Sequence, residues 1–390
     1  MAKAIPSFFI IWGKISIVKK SILILSAFLG SFTLSCAQEN TPKIETPENP
    51  NYDYVTVVDG IDIPWGMAFI SPEDFLVTEK SGTLYRVRNG QKTAVSGLPE
   101  AYVRGQGGLL DVALHPDFAN NNKIYFTISM TLEGDEGGNT ALYIATLQEL
   151  SLSDVALLYK AEPNTKKGQH WGSRIVFDDD NHLYFSVGDR GNRDVNPQDL
   201  TRDGGKIYRL NLDGSIPDDN PFVALDGAKT AVYSYGHRNP QGIAIHPQTG
   251  AIWETEHGPK GGDEINIVRA GKNYGWPKIT YGINYSGTTI TDDKALPGME
   301  QPFYYWIPSI GPSGTAFSSS DIYDGWKGNL FVGSLAFEYL ERLVIENDQV
   351  VKREKILPGI GRLRNVKEGP DGYLYVGVEG KGILKIIPKK

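Results

Sequence analysis

A short strand-like motif recurs six times along this chain and constrains its fold more than any other feature. Each copy begins with a Gly, Asp or Asn turn, continues with an apolar–aromatic–apolar triplet and ends in small or polar residues. The copies contain Leu84, Ile124, Leu183, Ile252, Leu330 and Leu374. From the first to the last the mean interval is about 58 residues, the size of a four-stranded blade with long loops. The sequence therefore predicts an all-β fold, a six-bladed β-propeller with four-stranded blades.

The first 36 residues have the order of an export signal. Basic residues precede an apolar run over residues 21–34, and Ser35-Cys36 follows it, which is the basic, apolar, small-residue sequence of such leaders. Cys36 is the only cysteine, so no intramolecular disulfide can form. Its position resembles the lipid-modified cysteine of bacterial lipoproteins, while an ordinary cleaved signal with an incidental cysteine is the alternative. We expect an exported protein, periplasmic or lipid-anchored to the cell envelope.

Residues 37–53 are rich in Pro, Glu, Asn and Thr, a composition that cannot bury a core and predicts a flexible linker. The propeller is then expected over residues 54–390. Loss of the four leader lysines would change the formal net charge from −7 to −11. Such an acidic domain is a poor partner for nucleic acid, whose phosphates would repel it.

Functional groups concentrate between residues 233 and 277, where Gly and Pro separate charged, amide and imidazole side chains. These clusters read as loops, and Ile243–His246 and Ala251–Glu254 between them read as a hairpin joined by a Pro-Gln-Thr-Gly turn. Loops that follow strands are where binding and catalytic residues concentrate. The chain has no P-loop, no dinucleotide fingerprint, no nucleophile elbow and no paired cysteines, which argues against nucleotide and thiol chemistry.

Three of the six histidines lie beside glycine and a strong hydrogen-bonding group: His170, His237 and His257. His170 precedes a strand in Gly-Gln-His-Trp-Gly, and an imidazole suits proton removal at neutral pH. A packed loop histidine is the alternative. Arg238 and Asn239 offer a guanidinium and an amide for carboxylate or quinone oxygens.

Two further groups could bind charged ligands. Arg362 and Arg364 alternate on a strand-like run and share one face, so they could clamp an anion together or form a solvated sheet edge. Gly258-Pro259 could turn carbonyls toward a cation beside Asp263-Glu264, and calcium readily takes such oxygens.

Taken together, the motifs resemble the soluble quinoprotein aldose sugar dehydrogenases, the glucose and sorbosone dehydrogenase family that uses pyrroloquinoline quinone (PQQ). The resemblance covers about Val55 to Ile387. The matching motifs are Ile63–Gly66, Gly105–Asp111, Gly168–Gly172, Gly205–Leu210, Gly236–Gly242, Glu256–Pro259, Asp263–Asn266, Asn273–Pro277, Pro308–Gly314 and Arg362–Arg364.

The resemblance implies a six-bladed propeller that oxidises the anomeric carbon of aldoses to lactones, with hydride transfer to PQQ. It implies that His170 is the base, that Gln106 lies near the substrate hydroxyl and that Arg238 stabilises the negative charge on the reduced quinone. The expected cofactor contacts are Gln169, Arg238, Asn239, His257, Arg362 and Arg364. The expected calcium ligands are the carbonyls of Gly258 and Pro259 and, at a second site, Glu264 and the carbonyl of Tyr274.

Two positions depart from the family pattern. Ala336 stands where relatives commonly have a lysine that contacts the cofactor, and Gln169 stands where the soluble glucose dehydrogenase has an aspartate before the catalytic histidine. The second departure predicts that no local carboxylate orients His170. Two other functions stay open on the sequence: a calcium-dependent lactonase on a six-bladed propeller, and a non-catalytic sugar- or protein-binding propeller that has lost the quinone.

Overall fold

The structure is a computed structural model that describes residues 41–132 and 134–389. The predicted export signal and Cys36 lie outside the described residues. Within them, no helix is both long enough and apolar enough to cross a membrane, and the one α-helix, α1, spans only Phe118–Asn121.

The described chain forms six sheets, each built on four antiparallel strands, so the predicted six-bladed propeller is confirmed. The strands of blades 1 to 3 are β3 (Pro64–Ser71), β4 (Asp74–Glu79), β5 (Thr83–Arg88) and β6 (Gln91–Val95); β7 (Leu109–Leu114), β8 (Lys123–Met130), β9 (Asn139–Leu147) and β10 (Leu152–Lys160); and β11 (Ile175–Phe177), β12 (His182–Val187), β13 (Lys206–Asn211) and β14 (Val232–Tyr235). Those of blades 4 to 6 are β15 (Pro240–Ile245), β16 (Ile252–Glu256), β17 (Asp263–Val268) and β18 (Tyr304–Trp306); β19 (Pro312–Phe317), β20 (Leu330–Ser334), β21 (Tyr339–Glu346) and β22 (Gln349–Ile356); and β23 (Leu363–Glu368), β24 (Leu374–Val378), β25 (Gly382–Pro388) and the N-terminal β2 (Tyr52–Val58).

The innermost strands of the blades close a ring, because β3, β7, β11, β15, β19 and β23 each contact the next and β23 contacts β3. Glycine permits this close approach. A Cβ on Gly66 would lie 2.9 Å from the Cα of Asp111, and one on Gly314 would lie 2.6 Å from the Cα of Asn365. These separations are far below van der Waals contact, so a larger residue would push neighbouring blades apart.

The first and last strands of the propeller meet in blade 6, where β2 pairs antiparallel with β25 from Tyr52 opposite Pro388 to Val58 opposite Ile383. Tyr52, within the segment predicted as linker, is buried against Trp326 with ring centroids 5.6 Å apart. Strand β1 (Ile44–Glu45), within the segment predicted as linker, pairs parallel with Arg353 and Glu354 of β22.

One end of the ring gathers the loops that matter for function. Each innermost strand starts at this end, and the turn between the second and third strands of a blade returns to it. Five of the six innermost strands begin with a register shift: β3, β7, β15, β19 and β23. Such bulges change the direction of side chains at the point where strand pairing begins. Residues just before an innermost strand therefore meet residues that follow a second strand.

Candidate active site

A pocket of about 410 Å³ opens at this end of the ring. Five residues predicted from the sequence line it: Gln106, Gln169, His170, Arg238 and Pro259. They precede or follow strands of three different blades, so the fold brings together groups up to about 150 residues apart in the chain. The wall also includes residues that sequence reasoning did not single out: Asp189, Gly191, Arg193, Trp276, Asn284 and Tyr285.

His170 is held by a carboxylate. Its Nδ1 lies 2.6 Å from Oδ1 of Asp189, which follows β12, the strand that pairs with the one after His170. Asp189 also accepts hydrogen bonds from the backbone N–H of Gly191 at 2.7 Å and from the Trp276 indole at 2.9 Å. Because a carboxylate only accepts, Nδ1 of the neutral ring carries the proton and Nε2 keeps its lone pair.

This finding corrects one expectation from the sequence. Gln169 does remove the carboxylate that directly precedes the histidine in the soluble glucose dehydrogenase, but the orienting charge is present because Asp189 supplies it from the next turn. Sequence reasoning missed Asp189 since it lies 19 residues away. Its position in a Gly-Asp-Arg-Gly turn after a predicted strand was the available signal.

The surroundings of the pair set both protonation states. Burial lowers the pKa of His170, and the nearby Arg238 lowers it further against the opposing pull of Asp189. Burial would raise the pKa of Asp189, but His170, Arg238 and the Trp276 hydrogen bond outweigh it and the pKa falls below its ordinary value. At neutral pH the site therefore contains a neutral imidazole beside an ionised carboxylate, which is the state a general base needs.

Gln106 supports the backbone at His170. Its Oε1 accepts the His170 N–H at 2.8 Å, and His170 has a left-handed φ of 58°, a conformation that costs energy in a residue other than glycine. The carbonyl of the adjacent Gln169 accepts a hydrogen bond from Arg190, whose guanidinium lies over the Trp171 ring. Hydrogen bonds at His170 and at the adjacent Gln169 thus hold the loop that presents the imidazole.

Arg238 and Asn239 follow a turn fastened to the neighbouring strand. Their backbone N–H groups donate to Oε2 of Glu256 at 2.5 and 3.1 Å, and Arg238 Nη1 donates to the carbonyl of His257 at 2.9 Å. Asn239 Oδ1 accepts from the backbone of Gly172 at 3.2 Å. The guanidinium is thereby fixed at the pocket wall.

His257 lies near the positively charged side chains of Arg238 and Arg364. Burial lowers its pKa, and Arg238, Arg364 and His170 lower it further, to about 3. The ring is therefore neutral throughout the physiological range. Its Nε2 is buried and has no hydrogen-bond partner among the residues described.

Arg362 and Arg364 do share one face, and they bind a carboxylate of the chain itself. Arg362 Nε donates to Glu379 at 2.8 Å and Arg364 Nε at 3.2 Å. Arg362 also donates to the carbonyl of Leu335 at 3.0 Å. Glu379 follows β24, so it reaches these arginines from the turn after a second strand, as Asp189 reaches His170. One positive charge of the pair remains uncompensated by Glu379.

The expected metal ligands occupy two places. The Gly258 N–H donates to Asp263 at 2.7 Å, and the Pro259 carbonyl accepts from Ser309 at 3.2 Å. Glu264 lies 3.3 Å from the amide of Asn266, and burial raises its pKa well above the ordinary value. Tyr274 stacks on His237 and donates its hydroxyl to the carbonyl of Ile267.

The donors around the pocket fit a planar anion with several carboxylates, as PQQ is. Arg238, which lines the pocket, and Arg362 and Arg364, which lie outside its lining, supply three positive charges against the two negative charges of Asp189 and Glu379. Arg238 Nε and Asn239 Nδ2 are buried donors without a partner in the described chain, and such groups are ordinarily satisfied. Ala336 is exposed and adds no charge, although it lies next to Leu335, whose carbonyl binds Arg362.

The comparisons with known proteins agree with this geometry. The Glucose / Sorbosone dehydrogenase family model matches residues 61–385. The chain is 41% identical over 340 residues to the aldose sugar dehydrogenase YliI of Escherichia coli (strain K12), covering 85% of this chain and 91% of that protein. It is 30% identical to quinoprotein glucose dehydrogenase B of Acinetobacter calcoaceticus, over 65% of this chain and 59% of the relative.

Solved structures give the same result. The apo-form of the soluble aldose sugar dehydrogenase from Escherichia coli superposes with a TM-score of 0.83 at 39% identity, covering 87% of this chain and 100% of the other. The PQQ-bound aldose sugar dehydrogenase from Streptomyces coelicolor has a TM-score of 0.72 at 28% identity, covering 88% and 99%. The resemblance inferred from the sequence is confirmed, and the chain belongs to the glucose/sorbosone dehydrogenase family.

Proposed function

We propose that this protein is a PQQ-dependent dehydrogenase that oxidises the anomeric carbon of aldose sugars to lactones. The observation that carries the proposal is the His170–Asp189 pair, which faces the same pocket as Arg238. The PQQ-bound relative supports the choice of cofactor. Arg238, Asn239, Arg362 and Arg364 would hold the cofactor through its carboxylates and quinone oxygens.

Residues of this chain would remove the proton of the anomeric hydroxyl. Nε2 of His170 accepts the proton of the anomeric hydroxyl, and Asp189 stabilises the imidazolium that forms. Gln106 Oε1 is committed to the His170 backbone, so its amide N–H₂ is the group left to donate to a sugar oxygen. Bound PQQ would supply the quinone carbon that accepts hydride. The sugar would lose one hydride and one proton and become the lactone, and Arg238 would stabilise the negative charge that the cofactor gains.

Calcium belongs to the same proposal. The carbonyls of Gly258 and Pro259 would bind an ion that polarises the quinone carbonyl, and Glu264 with the Tyr274 carbonyl would bind a structural ion. Calcium removal by exhaustive chelation is expected to abolish activity and release the cofactor. Full activity in protein shown by metal analysis to be calcium-free would contradict both assignments.

The wall of the pocket argues against the lactonase alternative. Asp189 is the only carboxylate among the lining residues, and it is already engaged by His170 and Trp276. A metal-dependent lactonase needs a cation held largely by carboxylates and amides in the channel, and although Gln106, Gln169 and Asn284 supply amides, the wall offers no carboxylate free to bind the cation. Hydrolysis of a gluconolactone without PQQ would revive this function.

The test is dye-linked oxidation of a panel of aldoses by calcium-loaded protein, with and without added PQQ. A sugar-dependent rate that requires PQQ is expected, together with a change in the visible spectrum of the bound cofactor on adding sugar. PQQ binding without turnover of any sugar, or sugar binding without PQQ binding in a calorimetric titration, would select the binding-module alternative instead.

We also propose that the protein is exported and attached to the cell envelope through Cys36. The support is the leader sequence alone. Mass spectrometry of the mature N-terminal peptide tests it: a diacylglyceryl mass on Cys36 is expected, and an unmodified N-terminus downstream of residue 36 would contradict it.

A further inference from the structure

A buried group of acidic and imidazole side chains lies behind the turn that carries Arg238 and Asn239. We call His237, Glu254 and Glu256 the carboxylate–imidazole cluster. Their exposed fractions are 0%, 0% and 3%. His237 belongs to the turn before β15, and the two glutamates point from β16 to the same side. No step of the proposed reaction uses these three residues.

The distances within the cluster are those of ligands around an ion. Nδ1 of His237 lies 3.5 Å from Oε1 of Glu254 and 3.5 Å from Oε1 of Glu256. A charged hydrogen bond would draw such atoms to about 2.7–2.9 Å. Ligands at about 2.1 Å from a tetrahedrally bound metal stand about 3.4 Å apart. One ligand atom from each residue fits within 4.8 Å of the others.

Several atoms of the cluster have no partner. Nδ1 of His237 and Oε2 of Glu254 are buried without a hydrogen bond from any residue described, and so is Oδ1 of the adjacent Asn266. Buried polar atoms of this kind are ordinarily satisfied, and each one left without a partner destabilises the fold. Two of these atoms, Nδ1 of His237 and Oε2 of Glu254, belong to the cluster itself, and together they indicate a ligand that pairs with both.

The surrounding contacts orient these atoms as an outer shell orients metal ligands. Nε2 of His237 lies 2.8 Å from the Ser234 hydroxyl, which leaves Nδ1 free to bind. The ring stacks on Tyr274 with centroids 4.6 Å apart. Asn266 Nδ2 lies 2.8 Å from Oε1 of Glu254, and a half-turn of this amide would bring Oδ1 to the same place as a fourth ligand.

The charge of the cluster also needs a cation. Two carboxylates face a single imidazole here, and all three side chains are buried. A divalent ion bound by two carboxylates and a neutral imidazole would leave no net charge in this buried place.

We propose that His237, Glu254 and Glu256 bind a divalent cation at a buried structural site. The imidazole nitrogen favours zinc or manganese over calcium, which prefers oxygen ligands. The site shares no ligand with the calcium positions proposed at Gly258 and Pro259 or at Glu264 and Tyr274. Because Glu256 also accepts the N–H groups of Arg238 and Asn239, the ion would anchor the turn that presents these residues to the pocket.

The direct test is anomalous scattering from wild-type crystals grown with manganese or zinc, collected above each absorption edge. A peak in bonding contact with His237 Nδ1 and both glutamates is expected. A peak confined to Glu264 and Tyr274, or water alone at the cluster, would overturn the proposal. The experiment uses neither sugar nor PQQ, so its result is independent of the proposed function.

Metal analysis in solution gives a second test. After calcium is removed with a calcium-selective chelator, wild-type protein should retain about one equivalent of zinc or manganese. Glu254→Gln, which keeps size and shape, should weaken binding at least about 10-fold, as loss of even outer-shell partners does. The matched control is Asp178→Asn in the group of Asp178, Asp180 and His182, which lies nearer the surface. Equal metal content in both variants would contradict the proposal.

Discussion

At the scale of single residues, the proposed base consists of two side chains that lie apart in the sequence and are brought together by the fold. His170 could be proposed from its Gly-Gln-His-Trp-Gly context and from the family resemblance. Asp189 could not, because neither composition nor spacing shows that the turn after β12 returns to the start of β11. The 2.6 Å contact between them gives the imidazole a defined tautomer, in which Nε2 is the nitrogen that would accept the proton in the proposed reaction.

We expect His170→Ala to abolish turnover while PQQ affinity stays nearly unchanged, because the imidazole acts on the substrate proton. Loss of a general base costs about 10² to 10⁴ in rate. Steady-state oxidation of an accepted aldose, with PQQ binding measured by titration, checks both parts. A variant that keeps more than about a tenth of wild-type activity would show that His170 is not the base.

Asp189→Asn should lower kcat by about 10² or more with a smaller change in KM, since the amide neither stabilises the imidazolium nor enforces the tautomer. Asp189 also raises the pKa of His170, so the acidic limb of the kcat profile should move to lower pH in the variant. Asp194→Asn, in the same loop and largely exposed, is the control. Equal profiles for the two variants would refute the assignment.

Ala336 is the residue that departs most clearly from the family pattern. It is exposed on the loop after β20, next to the carbonyl that binds Arg362. Ala336→Lys should tighten PQQ binding by about 1–3 kcal/mol, or about 5- to 150-fold. Ala336→Gln, which adds length without charge, should leave affinity nearly unchanged. Unchanged affinity in the lysine variant would mean that this position does not face the cofactor.

At the scale of strands, the repeat predicted the number of blades but not which strand of its blade each copy forms. Five of the six motif copies are the second strands of their blades. The first copy, around Leu84, lies in β5, which is the third strand of blade 1. The second strand, β4, has a similar apolar pattern, so the pattern alone does not distinguish the two strands. The predicted hairpin of Ile243–His246 with Ala251–Glu254 is confirmed by β15 and β16. Closure of blade 6 by β2 was beyond the sequence, since pairing between the first and last strands of the propeller leaves no local pattern.

The closing strand provides a test with a matched control on the same element. Tyr52 is 5% exposed and packs on Trp326, whereas Tyr54, two residues on, is 39% exposed. Tyr52→Ala should lower the free energy of unfolding by about 3–5 kcal/mol, as other large-to-small aromatic changes do. Tyr54→Ala should change it by about 0.5 kcal/mol or less. Urea unfolding followed by tryptophan fluorescence distinguishes them, and equal losses would contradict the closure.

At the scale of the whole molecule, the ring depends on contacts that cross between blades at its centre. Arg174, just before β11, donates to Asp111 of β7 at 2.9 Å, to the Trp65 carbonyl of β3 at 3.2 Å and to the Gln241 carbonyl of β15 at 3.0 Å. One guanidinium thus joins four innermost strands. Asp111 lies in a motif shared with the family, but no pattern in the sequence pairs it with a residue 63 positions away.

This central pair should therefore contribute more to stability than any ion pair at the rim. In Asp111→Asn the side chain keeps its shape, yet the Arg174 charge stays buried without its counterion, and breaking such a pair costs about 3–5 kcal/mol. The side chains of Arg174 and Asp111 are 7% and 5% exposed, against 59% and 82% for Lys327 and Asp321. Asp321→Asn, the control, should cost less than about 1 kcal/mol. Denaturant midpoints of the two variants, measured in parallel, test this prediction. If both variants unfold at the same midpoint, the contacts between sheets, and not the Arg174–Asp111 pair, hold the ring closed.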